Sequence, residues 1–69
     1  MKNLRKQLIE GNTIEFSNDT DLVYVWFSKT TKRFCIQLNA VVIDSLKTFK
    51  IFELKLQNLL KNREITFES

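Results

Sequence analysis

The sequence predicts an α+β domain: a three-stranded antiparallel meander over residues 13–38, packed on one long helix over residues 40–62. Three observations lead there. Residues 22–28 and 33–38 alternate apolar and polar side chains with the period of two that defines a half-buried strand. The hairpin registers that these runs allow place all their apolar pairs on one side. From Ala40 to Asn62 the chain has neither glycine nor proline, and its apolar residues recur with helical spacing.

The first ten residues are compatible with two conformations. Leu4, Leu8 and Ile9 have helical spacing, with Lys2, Arg5 and Lys6 on the remaining surface. Gly11-Asn12 is a suitable stop, since both residues tolerate the left-handed region. A helix this short depends on packing, so an extended arm is the alternative.

The strands follow in order. Thr13 to Ser17 alternates, and Asn18-Asp19-Thr20-Asp21 is a turn cluster whose side chains bond their own backbone. Leu22 to Ser28 is rich in β-branched and aromatic residues. Lys29 to Lys32 is a polar connection and Arg33 to Leu38 the third strand. A hairpin centred between Thr30 and Thr31 pairs Phe27 with Phe34, Val25 with Ile36 and Val23 with Leu38. It pairs Trp26 with Cys35 and Tyr24 with Gln37 on the other face. The first hairpin pairs Phe16 with Val23 and Ile14 with Val25, leaving Glu15 by Tyr24 and Thr13 by Trp26. A one-residue slip would invert every side chain, so this agreement supports the meander.

Asn39 has the chemistry of a helix N-cap. Val41, Val42, Leu46, Phe49, Phe52, Leu56, Leu59 and Leu60 form one wide stripe that would cover the apolar sheet face. Ile43, Ile51 and Leu54 fall outside it, flanked by Lys47, Lys50 and Asn58. A helix with apolar residues on two sides meets either a larger core or a partner, and 69 residues are too few for the former. This second patch suits a symmetric homodimer; its plain alternative is a set of unconnected surface side chains. Glu64 to Ser69 alternates like a short final strand.

Composition narrows the functional classes. The chain is a single domain over residues 1–69, with one cysteine and no histidine. It has no disulfide framework and no Cys/His metal site, and no cofactor is implied. It lacks a glycine-rich phosphate loop and a nucleophile elbow, and Asp19 and Asp21 sit in a turn, so the sequence reads as non-enzymatic. No apolar run approaches the ~20 residues of a membrane span. The charged Met1–Lys6 segment has no apolar stretch behind it, unlike a signal peptide, and one unpaired thiol suits a reducing cytoplasm. The net charge of +3 favours an acidic partner.

The mixed sheet face holds the candidate site. Tyr24 and Trp26 lie two residues apart on it, with Arg33 and Gln37 on the neighbouring strand and Lys29 and Lys32 at the hairpin tip. Aromatic rings on a sheet can stack unpaired bases while lysine and arginine hold phosphates. Alternatively, Leu4 and Leu8 cover these rings as a second small core, or the rings form a protein-binding patch. Cys35 lies on this face with Arg33 nearby. It is read as a soft packing residue for Trp26; a reactive thiol is the alternative.

The basic hairpin from Lys29 to Phe34, and the run Cys35-Ile36-Gln37-Leu38-Asn39 leading into residues 40–46, resemble a known family. It is the single-stranded-DNA-binding domain of the positive cofactor four type of transcriptional coactivators. The resemblance spans residues 13–62 and implies a sheet that binds single strands and a dimer formed through the helices. Two functions therefore follow as expectations. One is a dimeric protein that binds single-stranded DNA or RNA through Tyr24, Trp26, Lys29, Lys32, Arg33 and Gln37. The other is a protein-interaction module docking on a host protein.

Overall fold

The computed structural model describes residues 3–66. The order is α1 (Leu4–Ile9), β1 (Ile14–Ser17), β2 (Leu22–Ser28), β3 (Arg33–Leu38), β4 (Val41–Leu46) and α2 (Phe49–Asn62). The strands form one antiparallel sheet in sequence order, and the fold is α+β as expected. Both meander registers hold: Phe16 opposes Val23, Val25 opposes Ile36, Trp26 opposes Cys35 and Tyr24 opposes Gln37. β1 begins at Ile14, so Thr13 lies outside the ladder.

Both helices pack on one face of the sheet. Leu4 and Leu8 of α1, Val23 and Val25 of β2, Phe34 and Ile36 of β3, and Phe52, Leu56 and Leu60 of α2 belong to one buried cluster. Phe52, Leu56 and Leu60 recur every four residues, which puts them on a single helix face. Phe34 is the hub at the start of α2. Its ring centroid lies 4.8 Å from Phe27 and 5.3 Å from both Phe49 and Phe52.

Helix ends follow local rules. At α1, the Asn12 N–H reaches the Gln7 carbonyl and the Gly11 N–H reaches that of Leu8, each at 3.0 Å, with Gly11 at φ 103°. This is a Schellman termination, as the Gly11-Asn12 pair predicts. α2 ends the same way: Ile65 bonds Leu60 at 2.9 Å and Glu64 bonds Lys61 at 3.1 Å. Here Glu64 occupies the left-handed position at φ 57°. Ile65 and Leu60 are both buried, the apolar contact that accompanies the motif.

The expectation that changes is the helix start. Residues 41–46 form a fourth strand, and the helix begins at Phe49 rather than Ala40. Asn39 is not an N-cap. Asn39 and Ala40, at φ 49° and 71°, make the two-residue reversal between β3 and β4, closed by Leu38 opposite Val41. Two successive positive φ angles are the mark of a primed hairpin turn. Three consecutive β-branched residues, Val41, Val42 and Ile43, then favour a strand. Val41 and Val42, expected in the helical core stripe, are exposed, whereas Leu46, Phe49 and Leu59 pack against the core. Ile43 shares no helix with Ile51 and Leu54. The last alternating segment is not a strand at Ile65 and Thr66, and residues 67–69 lie outside the described residues.

A polar network locks the far end of the sheet. The Asn18 Oδ1 accepts the Thr20 and Asp21 N–H groups at 2.9 and 2.7 Å, and its Nδ2 donates to the Arg63 carbonyl at 2.6 Å. Asn39 accepts the Leu22 N–H and donates to Asp21, both at 2.9 Å. Asp21 also faces Arg63 Nε at 3.9 Å. Two turns and the end of α2 are thereby tied together.

Ala40 occupies a position that glycine fills without steric cost, since its Cβ opposes the left-handed region. Ala40→Gly is expected to raise unfolding free energy by about 0.5–1 kcal/mol in urea titrations, and Ala40→Val to lower it. Unchanged midpoints in both variants would mean that residues 39–40 do not form this turn.

Candidate nucleic-acid interface

The face opposite the helices is built from alternate residues of all four strands. Glu15 of β1, Tyr24 and Trp26 of β2, Arg33, Cys35 and Gln37 of β3, and Val42 and Ser45 of β4 follow from the registers. Leu4 and Leu8 were the candidate lid for Tyr24 and Trp26. They are instead fully buried in the cluster with Val23 and Val25, on the other side of the sheet. Neither helix contributes to the Tyr24–Trp26 side. Both rings are half-buried, between cross-strand neighbours and solvent.

The basic residues gather at one end of this face. Ser28 opposes Arg33, and Lys29 to Lys32 form the loop between them. The Lys32 N–H bonds the Ser28 carbonyl at 2.7 Å, and Lys32 takes the left-handed conformation at φ 60°. The Thr31 N–H reaches the Ser28 hydroxyl at 3.3 Å. These bonds give a four-residue hairpin loop, so a central Thr-Thr pair without glycine is accommodated. Lys29 and Lys32 are exposed at the tip. Arg33 is half-buried, and its Nη1 donates to the Ser45 carbonyl at 3.2 Å. The guanidinium is thereby held over β4 with donors left for an anion.

All six sequence-identified site residues therefore fall on the open face or its hairpin tip. Gln37 stands between Tyr24 and Val42 on neighbouring strands. The contribution of β4 was missed. Val42 and Ser45 complete the face, and Ser45 anchors Arg33. The β-branched run at residues 41–43 was the available signal.

Cys35 is 8% exposed, opposite Trp26 and Ser45. Burial pushes its thiol above the ordinary range, and the nearby Arg33 charge offsets only part of that. The Sγ lies 3.7 Å from the Arg33 carbonyl oxygen, to which the thiol donates. These features fit a packing role, because a nucleophilic cysteine needs a lowered pKa and access. Among the described residues, no three histidine, cysteine, aspartate or glutamate side chains are grouped to hold a metal ion. No described helix is long and apolar enough to cross a membrane.

The chain matches no protein-family model, no curated protein and no solved structure. The segment that carries the resemblance to the coactivator family, residues 35–46, is a strand, a hairpin turn and a further strand rather than a strand-to-helix junction.

The raised thiol has a pH consequence with a definite sign. In the alkaline range the folded state holds the Cys35 proton more tightly than the unfolded chain does. Stability is fully present below about pH 8.5, the unperturbed thiol pKa, and falls as pH rises through the folded value. Urea unfolding at pH 7 and pH 10 is expected to show a smaller alkaline loss in Cys35→Ala than in the parent chain. Equal losses would show that the thiol is not desolvated.

Proposed function

We propose that this chain is a small, non-enzymatic protein that binds single-stranded DNA or RNA on its open sheet face, as a homodimer. The observation that carries this reading is the placement of α1. By packing on the same sheet face as α2, it leaves Tyr24 and Trp26 outside the core. A half-buried tryptophan and tyrosine on a sheet surface present flat π-faces to unpaired bases. Lys29, Lys32 and Arg33 border them at the hairpin tip, placed to neutralise phosphates. Gln37 supplies an amide that can donate to or accept from a base edge. The net charge of +3 agrees with an anionic ligand. The cytoplasm, with its reducing conditions, is the proposed location, on the basis of the single free thiol.

A second reading has its own observation. Val41, Val42, Ile43, Ile51 and Leu54 are exposed, as expected of a module that docks on another protein. The two readings differ in salt dependence. Binding through three phosphate contacts gives a slope of log K against log salt near −2, at about −0.7 per contact on single strands. Docking through apolar side chains gives a shallow one.

Titrating the protein with a single-stranded oligonucleotide at low salt is expected to quench Trp26 fluorescence. Trp26→Ala should weaken binding by about 1–3 kcal/mol, measured by a label on the oligonucleotide. Lys29→Gln with Lys32→Gln should flatten the salt slope by about 1.4. Unchanged emission and no bound label at low salt would reject the nucleic-acid reading. Capture of a specific protein without nucleic acid would then favour the second.

A further inference from the structure

Five of the six large hydrophobic side chains exposed among the described residues lie on two neighbouring elements. Val41, Val42 and Ile43 are on β4, at 61%, 55% and 45% exposure, and Ile51 and Leu54 are on α2, at 49% and 54%. β4 is an edge strand, with a ladder partner on the β3 side only. Its outer row of backbone donors and acceptors is a template for another strand. The opposite edge, β1, is only four residues long and carries Glu15. β4 is longer, at six residues. Its one guarding device is a bulge, where the ladder shifts between Ile36 and Gln37 and Ile43 is the unpaired residue.

A single ion pair sets α2 beside the β4 edge, which Val42 borders from the open sheet face. Lys55 Nζ of α2 lies 3.2 Å from Asp44 Oδ2 of β4. This contact turns the Lys55 side of the helix toward the β4 edge. Ile51 is four residues before Lys55 and one turn away on the same side, and Leu54 is its neighbour at i+3. The same pair neutralises the only charge on β4. Nothing on the strand therefore repels an identical strand, provided the register keeps the two Asp44 residues apart.

We infer that the β4 edge and the Ile51–Leu54 flank of α2 form a self-association surface whose occupant is a second copy of this chain. The geometry selects one arrangement. A two-fold axis perpendicular to the sheet pairs β4 with its copy antiparallel and keeps both α2 helices on one face. Their Ile51–Leu54 flanks then face each other across the axis. A register centred on Val42 sets Val42 opposite its copy and Val41 opposite Ile43, and separates the Asp44 carboxylates. Such pairing buries on the order of 1,000 Å² in total, about the lower bound of a specific interface. The result is one eight-stranded sheet whose two Tyr24–Trp26 faces lie side by side. This interface locates the homodimer of the nucleic-acid reading, but it stands on different residues, and its test contains no nucleic acid.

Sedimentation equilibrium of the protein alone is expected to give twice the chain mass at micromolar concentration. Val42→Lys and, separately, Ile51→Lys should halve that mass while circular dichroism shows both folded. Ile9→Lys, at the exposed apolar residue of α1, should leave the dimer intact. In a Cys35→Ser background, Val42→Cys should form a disulfide-linked dimer on mild oxidation and Gln57→Cys, on another side of α2, should not. A monomer at every concentration, with the surface covered by another protein or by nothing, would overturn the inference. So would a dimer that survives both lysine variants, or open-ended polymers in place of a closed pair. Oligonucleotide quenching of Trp26 in the Ile51→Lys monomer, whose substitution lies on the opposite side of the sheet, reports on the nucleic-acid reading independently.

Discussion

The packing of Phe34 is the constraint on which the rest of the molecule depends. Its ring touches those of Phe27, Phe49 and Phe52, and so joins the central hairpin to the first turns of α2. Aromatic pairs at these separations add to the area that they bury. Because Phe34 points to one side of a pleated strand, α2 must lie on that side. Val23, Val25 and Ile36 share it, and Leu4 and Leu8 of α1 complete the cover. A chain of 69 residues has apolar material for one such core, and both helices are committed to it. The opposite face is left with half-buried aromatics and polar side chains that reach solvent.

The far end of the sheet is held by a different kind of interaction. Asn18, Asp21, Asn39 and Arg63 satisfy one another and the turn backbone through short hydrogen bonds. Buried apolar contacts set the layers, and these directional bonds set where each chain reversal falls. Together they hold α2 at both ends, by Phe49 and Phe52 at its start and by Arg63 at its end. The hairpin tip with Lys29 and Lys32 projects away from this clamp, at the aromatic end of the molecule.

Much of the candidate site was legible because a strand's period of two admits no intermediate. Once Phe27 was paired with Phe34, the positions of Tyr24, Trp26, Arg33, Cys35 and Gln37 on the other face followed, and each is found there. The fourth strand was not legible, for three local reasons. Asn39 suits both an N-cap and a left-handed turn position, and Ala40 hides a reversal in which glycine is usual. Val41 and Val42 also fall on the helical stripe of the residues that follow, so a 3.6-residue period continues through a segment that is extended. The β-branched triplet was the contrary signal, weaker than an unbroken run without glycine or proline.

Residue order and side-chain type settled the α+β class, the meander with its registers, and the division of residues between an apolar and a mixed sheet face. These rest on neighbours along one strand or across one turn, where alternation and turn chemistry suffice. Three matters needed the whole chain in three dimensions: which face α1 covers, the addition of β4 as an exposed edge, and the placement of Ile43 on a different element from Ile51 and Leu54. Each depends on competition for a limited core. Leu4 and Leu8 are buried in the same cluster as Phe52 and Leu56, and the Asp44–Lys55 pair joins the helix to the strand.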